Sequence, residues 1–283
     1  MQKRALAIHD ISCLGRCSLT VALPILSAAG INTAVVPTAL LSTHTGEFTG
    51  YTHLDLTEQL LPIATHLASL GLHFDAFYTG YLAFPQQVEL VLAMRQMLCD
   101  AQTQVFVDPA FADHGRLYSL MPATMPAQMR ALVKTAHIIV PNLTEATFLL
   151  GEAYRPTGYD ENYIHGLAAR LSALGPQSIV ITDVSLSEHE TGVAVYHRDS
   201  GDFQLHFKPK FQGVFHGTGD VFASFLLSAL LGGLSLDAAT RLALRLTHEC
   251  IRLTLEGGEP LRYGVQFERV LPELIAALAG QGD

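Results

Sequence analysis

Short runs of β-branched and aromatic residues alternate along this chain with longer stretches whose apolar positions recur every three to four residues. The runs at 6–8, 33–36, 76–78, 104–107, 137–140 and 178–181 read as strands. The stretches at 19–29, 58–69, 86–99, 127–133, 145–150, 163–173, 221–231, 236–255 and 267–279 read as helices. Gly30 and Gly71 fall just past two of these helices, where a left-handed residue ends a helix cheaply.

Strand, helix, strand repeats imply a mostly parallel sheet covered on both faces, because parallel neighbours need crossover helices. The fold class is therefore α/β. Two adjacent strand-like runs, 193–196 and 203–207, flank the turn-forming segment 199–202 and predict a hairpin at one sheet edge. No linker, repeat or low-complexity segment divides residues 1–283, which predicts one domain. In an open parallel sheet ligands bind beyond the carboxyl ends of the strands. The segments to search are thus 9–17, 37–50, 79–84, 108–118, 141–145, 182–187 and 213–220.

Composition narrows the partners. The 17 Lys and Arg against 26 Asp and Glu give a formal net charge of −9, which argues against nucleic acid and anionic membranes as partners. The uncharged stretch 221–236 falls short of the roughly 20 residues a membrane-spanning helix needs. Charged residues are 15% of the chain, against about 25% in an average domain. Apolar surface must then be covered elsewhere, and a homodimer is the expected cover. The first apolar run stops at His9 and Asp10, too early for a secretory signal. Cys13, Cys17, Cys99 and Cys250 include one CxxxC with no second ligand pair, so all four are expected to be free thiols in the cytoplasm.

Five strand-end segments carry candidate chemistry. Segment 215–222 sets Gly217 and Gly219 around Thr218 and follows them with Asp220 at the start of an apolar helix. Glycines let backbone N–H groups converge, a helix N-terminus favours an anion there, and Asp220 can take a proton from an attacking hydroxyl. The plainer reading is a turn with Asp220 as helix cap. Asp108 and Asp113, five residues apart after a strand, suit Mg²⁺, which prefers oxygen ligands and substrate phosphates. Their plainer reading is a turn begun by Pro109 with solvated acids. Asn142 and Glu145 put an amide and a carboxylate on one side of a first helical turn, and the same pair makes a capping box. Residues 42–46, with His44 and Thr45, and residues 79–81, ending in Tyr81, supply hydroxyls, an imidazole and a ring suited to a flat heterocycle. Each is also ordinary loop composition.

Segment 108–118, the PNLTE at 141–145 and the GTGD at 217–220, in that order, resemble the pyridoxal kinases of the ribokinase superfamily, in the branch that includes the phosphomethylpyrimidine kinases. The family patterns are DPVMGDxGxxY, PNxxE and GTGD, and the resemblance runs over almost the whole chain. It implies a ribokinase-like three-layer fold with an antiparallel edge. It also implies a kinase that moves the γ-phosphoryl group of ATP to the 5′-hydroxymethyl of pyridoxal, pyridoxamine or pyridoxine with Mg²⁺, and it leaves open whether K⁺ assists.

By the same resemblance Asp220 is the catalytic base, and the amides of Gly217, Thr218 and Gly219 form its anion hole. Thr182, Asn142 and Asp108 lie on the nucleotide and phosphate side, with Glu145 and Asp113 toward the metal. Thr45 and Tyr81 edge and stack on the pyridine ring, with His44 beside them. Asp10 stands where many pyridoxal kinases carry a substrate-contacting serine, and Ser12 lies two residues on. Ala112 replaces a glycine of the pattern, Val140 a threonine of some relatives, and Asp183 a common serine. Such kinases are usually homodimers. The rival expectations are a hydroxymethylpyrimidine or hydroxymethylpyrimidine-phosphate kinase, whose relatives commonly show GTGC and a glycine-rich early loop, a sugar or nucleoside kinase, and a binding paralogue without turnover.

Overall fold

The computed structural model describes residues 2–280. Its elements follow the expected alternation: β1 (Arg4–Leu14), α1 (Leu19–Ala28), β2 (Asn32–Thr43), β3 (His53–Asp55), α2 (Thr57–Ser69), β4 (Ala76–Thr79), α3 (Pro85–Leu98) and β5 (Gln104–Val107). A small hairpin, β6 (Ala112–Asp113) and β7 (Arg116–Leu117), comes next, then α4 (Met125–Val133), β8 (Ile138–Ile139), α5 (Leu143–Leu150) and α6 (Glu161–Ser172). The chain continues through β9 (Ser178–Val184), β10 (Glu190–His197), β11 (Phe203–Pro209), α7 (Thr218–Leu231), α8 (Leu236–Gly257) and α9 (Leu271–Ala279).

Nine strands form one sheet in the order β11-β10-β9-β8-β5-β4-β1-β2-β3. The run from β9 to β2 is parallel, β10 and β11 add the expected antiparallel edge, and β3 closes the other edge antiparallel to β2. Successive strand residues point to opposite faces, and here both faces are apolar. Leu6, Ile8, Phe77, Val105, Val107 and Ile139 pack into a core that includes Leu60, Val88, Met129, Leu149 and Leu167 from α2 to α6. Ala5, Ala7, Tyr78, Phe106 and Val180 pack into a second core with Ile25 of α1, Phe225 of α7, Leu246 of α8 and Leu274 of α9. The sheet is thus the middle of three layers.

Three details depart from the sequence reading. Strands β1 and β2 run on to Leu14 and Thr43, through residues expected to be loop, because β2 gains β3 as a partner there. The register of β1 on β2 slips between His9 and Ile11, which re-aims the intervening residue. The helix expected over 267–279 is a 3₁₀ turn, Phe267–Arg269, followed by α9. Pro272 sits in the first turn of α9, where its missing N–H costs nothing, and could not have continued a helix from 267.

Helix α7 positions the site. Residues 221–229 are all buried, so the helix is wrapped on every side, packed between α1 and α8 under the sheet. Its axis is fixed by that packing, and its N-terminus opens at the carboxyl ends of the parallel strands. Among the described residues no helix is long and apolar enough to cross a membrane.

Candidate active site

The N-terminus of α7 has no side-chain cap, whereas α5, α6 and α8 are capped by Asn142, Asp160 and Ser235. Gly217 takes the N-cap position at φ 74°, and the first helical hydrogen bond is donated by Val221 N–H to its carbonyl, 3.0 Å. The amides of Thr218, Gly219 and Asp220 therefore precede the helical ladder and are free to receive an anion. A Cβ on residue 217 would overlap the Arg16 carbonyl oxygen, so this turn requires glycine twice, for its conformation and for its neighbour. Nothing lies within 4 Å of the corresponding point on Gly219. The Thr218 hydroxyl turns back and donates to Phe215 O, 3.0 Å. Asp220 is not the cap, which removes the plainer reading of this segment.

Asp220 is partly buried, and burial pushes its carboxyl up to about 7, against a hydrogen bond from the Ser18 backbone that favours the charged form. The charge of Asp10 pushes the same way as burial. Asp10 itself is only 4% exposed, accepts from the Ser12 hydroxyl at 3.3 Å, and is raised by burial to about 6. Cys17 lies within the fields of both acids, and burial together with these charges keeps its thiol protonated. The oxygen of Tyr78 comes within 3.4 Å of Ser224 Oγ, one turn along α7 from Asp220.

Glu145 organises the second wall. It is 2% exposed, and Oε1 accepts from the N–H groups of Phe111, 2.7 Å, and Ala112, 3.3 Å. Oε2 accepts from Asn142 N–H, 3.0 Å, while Asn142 Oδ1 accepts from Glu145 N–H, 2.9 Å, completing the capping box. Asn142 Nδ2 donates to Ala112 O, 2.7 Å. The pair thus fastens segment 110–113 to α5, and among the described residues Oε2 accepts from Asn142 N–H alone. Burial raises Asp108, helped by the charges of Glu145 and Asp220. Tyr118 feels Glu145, Asp113, Asp108 and Asp220 together, and its ring lies 6.4 Å from that of Tyr81. Residues 10, 81, 108, 118, 145 and 220 therefore share one electrostatic neighbourhood, although they come from five separate segments.

Asp113 and Asp183 join His114 with ligand atoms within 4.8 Å of one another. Burial lifts Asp183 to about 6, with the Asp113 charge adding to it. Thr182 donates its N–H to Pro141 O, 2.9 Å, which ties the end of β9 to the start of α5. His44 is held at both ring nitrogens: Nδ1 accepts from Gly46 N–H, 3.1 Å, so Nε2 donates to Arg262 O, 2.6 Å. That fixes a neutral ring, in keeping with the downward pull of burial. Its role in this geometry is to fasten segment 44–46, including Thr45, to the C-terminal segment, with the His216 ring tilted by 38° against it at 5.0 Å. Among the described residues five non-glycines take positive φ: Glu47, Ala110, His114 and Asp183 lie in these strand-end segments, and Ser18 directly follows one. Such strain persists where surrounding structure imposes it, and it gathers at functional sites.

The family profile described as phosphomethylpyrimidine kinase matches residues 23–263. The chain belongs to this kinase family. A solved structure from Bacteroides thetaiotaomicron, described as a putative phosphomethylpyrimidine kinase in a form with pyridoxal, is 36% identical to it, with TM-score 0.92 over 97% of this chain and 96% of that one. The pyridoxal kinase of Lactobacillus plantarum is 28% identical, with TM-score 0.89 over the full length of both chains. A pyridoxine/pyridoxal/pyridoxamine kinase of Bordetella bronchiseptica is 28% identical, over 86% of this chain and 87% of that one.

Sequence reasoning about this kinase missed Arg16, Ser18, Cys17, Ser224 and His216. Ser18 and Arg16 act through backbone groups, which leave no mark on side-chain pattern. Ser224 had a signal: it lies four residues after Asp220 on a predicted helix, hence on the same face.

Proposed function

We propose that this kinase transfers the γ-phosphoryl group of ATP to the hydroxymethyl group of a vitamin B6 vitamer, and that Asp220 is the base. The observation that carries the reading is one carboxylate, tuned close to neutral pH, placed beside three uncapped amides at the mouth of a buried helix. A base works best when its pKa lies near the operating pH. Phosphoryl transfer asks chiefly for alignment and for neutralisation of spreading negative charge. In this reading Asp220 accepts the proton of the acceptor hydroxyl, and the amides of Thr218, Gly219 and Asp220 face the transferred group. Residues 109–118, fastened by Glu145, exclude water from the cleft. Tyr81, Thr45, Ser12 and Asp10 border the acceptor ring, and Thr182 and Asn142 lie toward the nucleotide.

Asp108 and Asp113 offer the oxygen donors that Mg²⁺ prefers and would hold it, with Glu145 toward the same ion. Bound there, Mg²⁺ supplies charge neutralisation on the phosphate oxygens. A K⁺ requirement would appear as activation by KCl over NaCl. The reading includes a homodimer in the cytoplasm. Exposed Leu14, Leu40 and Leu54, with Leu40 and Leu54 opposite each other on β2 and β3, support a covered edge.

The test is ADP release, coupled to a dye, with Mg-ATP and each of pyridoxal, pyridoxamine, pyridoxine and hydroxymethylpyrimidine. Stimulation by a B6 vitamer is expected. Stimulation by the pyrimidine alone would replace the reading with the rival activity, and binding without ADP release would replace it with a sensor.

A further inference from the structure

We propose that Arg16 and Gly264 are positioning residues that aim the uncapped amides at the start of α7, so that the segment after α8 governs phosphoryl transfer without touching a ligand. The inference rests on the reading that the amides of Thr218, Gly219 and Asp220 face the transferred group, and adds what holds them there.

Those amides point where the Gly217 turn sends them, and the turn closes on one atom. A Cβ at Gly217 would overlap the Arg16 carbonyl oxygen, and a Cβ at Gly264 would come within 2.7 Å of the same oxygen and 2.7 Å of Arg16 Cβ. Both glycines have positive φ, 74° and 86°. Two backbone turns from separate parts of the chain therefore meet at a single carbonyl, and each requires glycine for space as well as for conformation.

Arg16 is gripped along the whole of segment 259–268. Its N–H donates to Tyr263 O, 3.0 Å, its Nε to Glu268 Oε1, 2.8 Å, and its Nη1 to Glu259 Oε2, 3.2 Å. That segment is itself anchored. Gln266 N–H donates to the buried Thr254 hydroxyl of α8, 2.8 Å, and Val265 and Phe267 are buried in the core that contains α7. On the other side Gly15 lies against the His44 ring, and the Thr20 hydroxyl reaches the carbonyls of Gly15, 3.1 Å, and Cys17, 2.7 Å. The Arg16 carbonyl is thus fixed from both directions.

Two carboxylates neutralise the guanidinium and turn it toward the C-terminal segment, which leaves the carbonyl as the part of Arg16 that meets the Gly217 turn. Glu259 and Glu268 are 47% and 50% exposed, and ion pairs as open as these add little to stability. What they add is direction. Donors aimed at a transferring group lower its barrier when they are held in place beforehand, and a displacement of about 1 Å costs about 100-fold in rate.

The experiment uses the full chain as wild type, Gly264→Ala and Arg16→Met. ADP release with Mg-ATP and pyridoxal gives kcat and KM. Calorimetry gives the affinity for orthovanadate in the presence of Mg-ADP, vanadate standing in for the trigonal phosphoryl group. Gly264→Ala should lower kcat by about 10–100-fold and Arg16→Met by about tenfold, with KM for pyridoxal within about threefold of wild type. Vanadate affinity should fall alongside kcat while Mg-ADP affinity holds. The melting midpoint of Arg16→Met should stay within about 2 °C of wild type, which separates aim from fold. Wild-type kcat in Arg16→Met overturns the proposal, even should Gly264→Ala fail to fold, and so does a loss confined to KM. Weakened vanadate binding in variants of a protein that phosphorylates no acceptor would sustain the positioning role while removing the kinase reading. Full turnover by both variants would do the reverse.

Discussion

Replacing Asp220 with Asn should make the protein inactive and more stable, and the stability gain should depend on pH. In the unfolded chain the carboxyl titrates at its ordinary 3.8, and in the folded protein at about 7. Below the lower value it is neutral in both states and the substitution changes little. Between the two values it is ionised when unfolded but holds its proton when folded, so the native state loses ground as pH rises. Above about 7 it is ionised in both states and the whole cost is present. The difference corresponds to about 4 kcal/mol, at about 1.4 kcal/mol per pH unit. The carboxyl is partly open to the cleft, and water offsets some of this, leaving about 1–3 kcal/mol. An Asn keeps the acceptor that Ser18 N–H uses and removes the charge.

Thermal melts of wild type and Asp220→Asn at pH 4, 6 and 8, without ligands, read this directly. A midpoint raised by about 2–8 °C at pH 8 and converging with wild type at pH 4 is expected for a chain of this size. Turnover at pH 8 should fall by about 10²–10⁴-fold. A midpoint that is unchanged or lower at pH 8, or a gain that does not depend on pH, would refute the claim that this acid is held ionised against its surroundings for the reaction. A site that spends stability on function predicts this pairing of effects.

Two further substitutions probe the walls of the cleft. Gly217→Ala places a methyl group on the Arg16 carbonyl at a left-handed backbone position, and should reduce kcat/KM by about 100-fold or more, whereas Gly219→Ala, with open space around it, should cost far less. Glu145→Ala removes the acceptor of three backbone N–H groups and should destabilise by about 2–5 kcal/mol in urea unfolding at an unchanged m-value. A variant unfolding at the wild-type midpoint would remove the anchoring role assigned to Glu145.

The alternation of strand and helix was readable because each β-strand of the parallel sheet is a short apolar run and each crossover helix repeats its apolar positions with the helical period. The hairpin edge at β10 and β11, the capping box of Asn142 and Glu145, and the glycine turn before Asp220 were equally local, since each is set by residues a few positions apart. The sequence also named most of the acids that line the cleft, though not their company. What the chain's order cannot express is distance across the sheet. That Asp10 of β1 lies in the field of Asp220 more than two hundred residues away, and that Glu145 accepts from Phe111 and Ala112, follow from strand order and from the burial of α7. The same is true of charge: a carboxylate's pKa depends on what replaces its water, and only packing decides that. Helix α7 shows both sides, because its apolar run announced a buried helix, while the absence of any cap over its first amides emerged only when the neighbouring loops were in place.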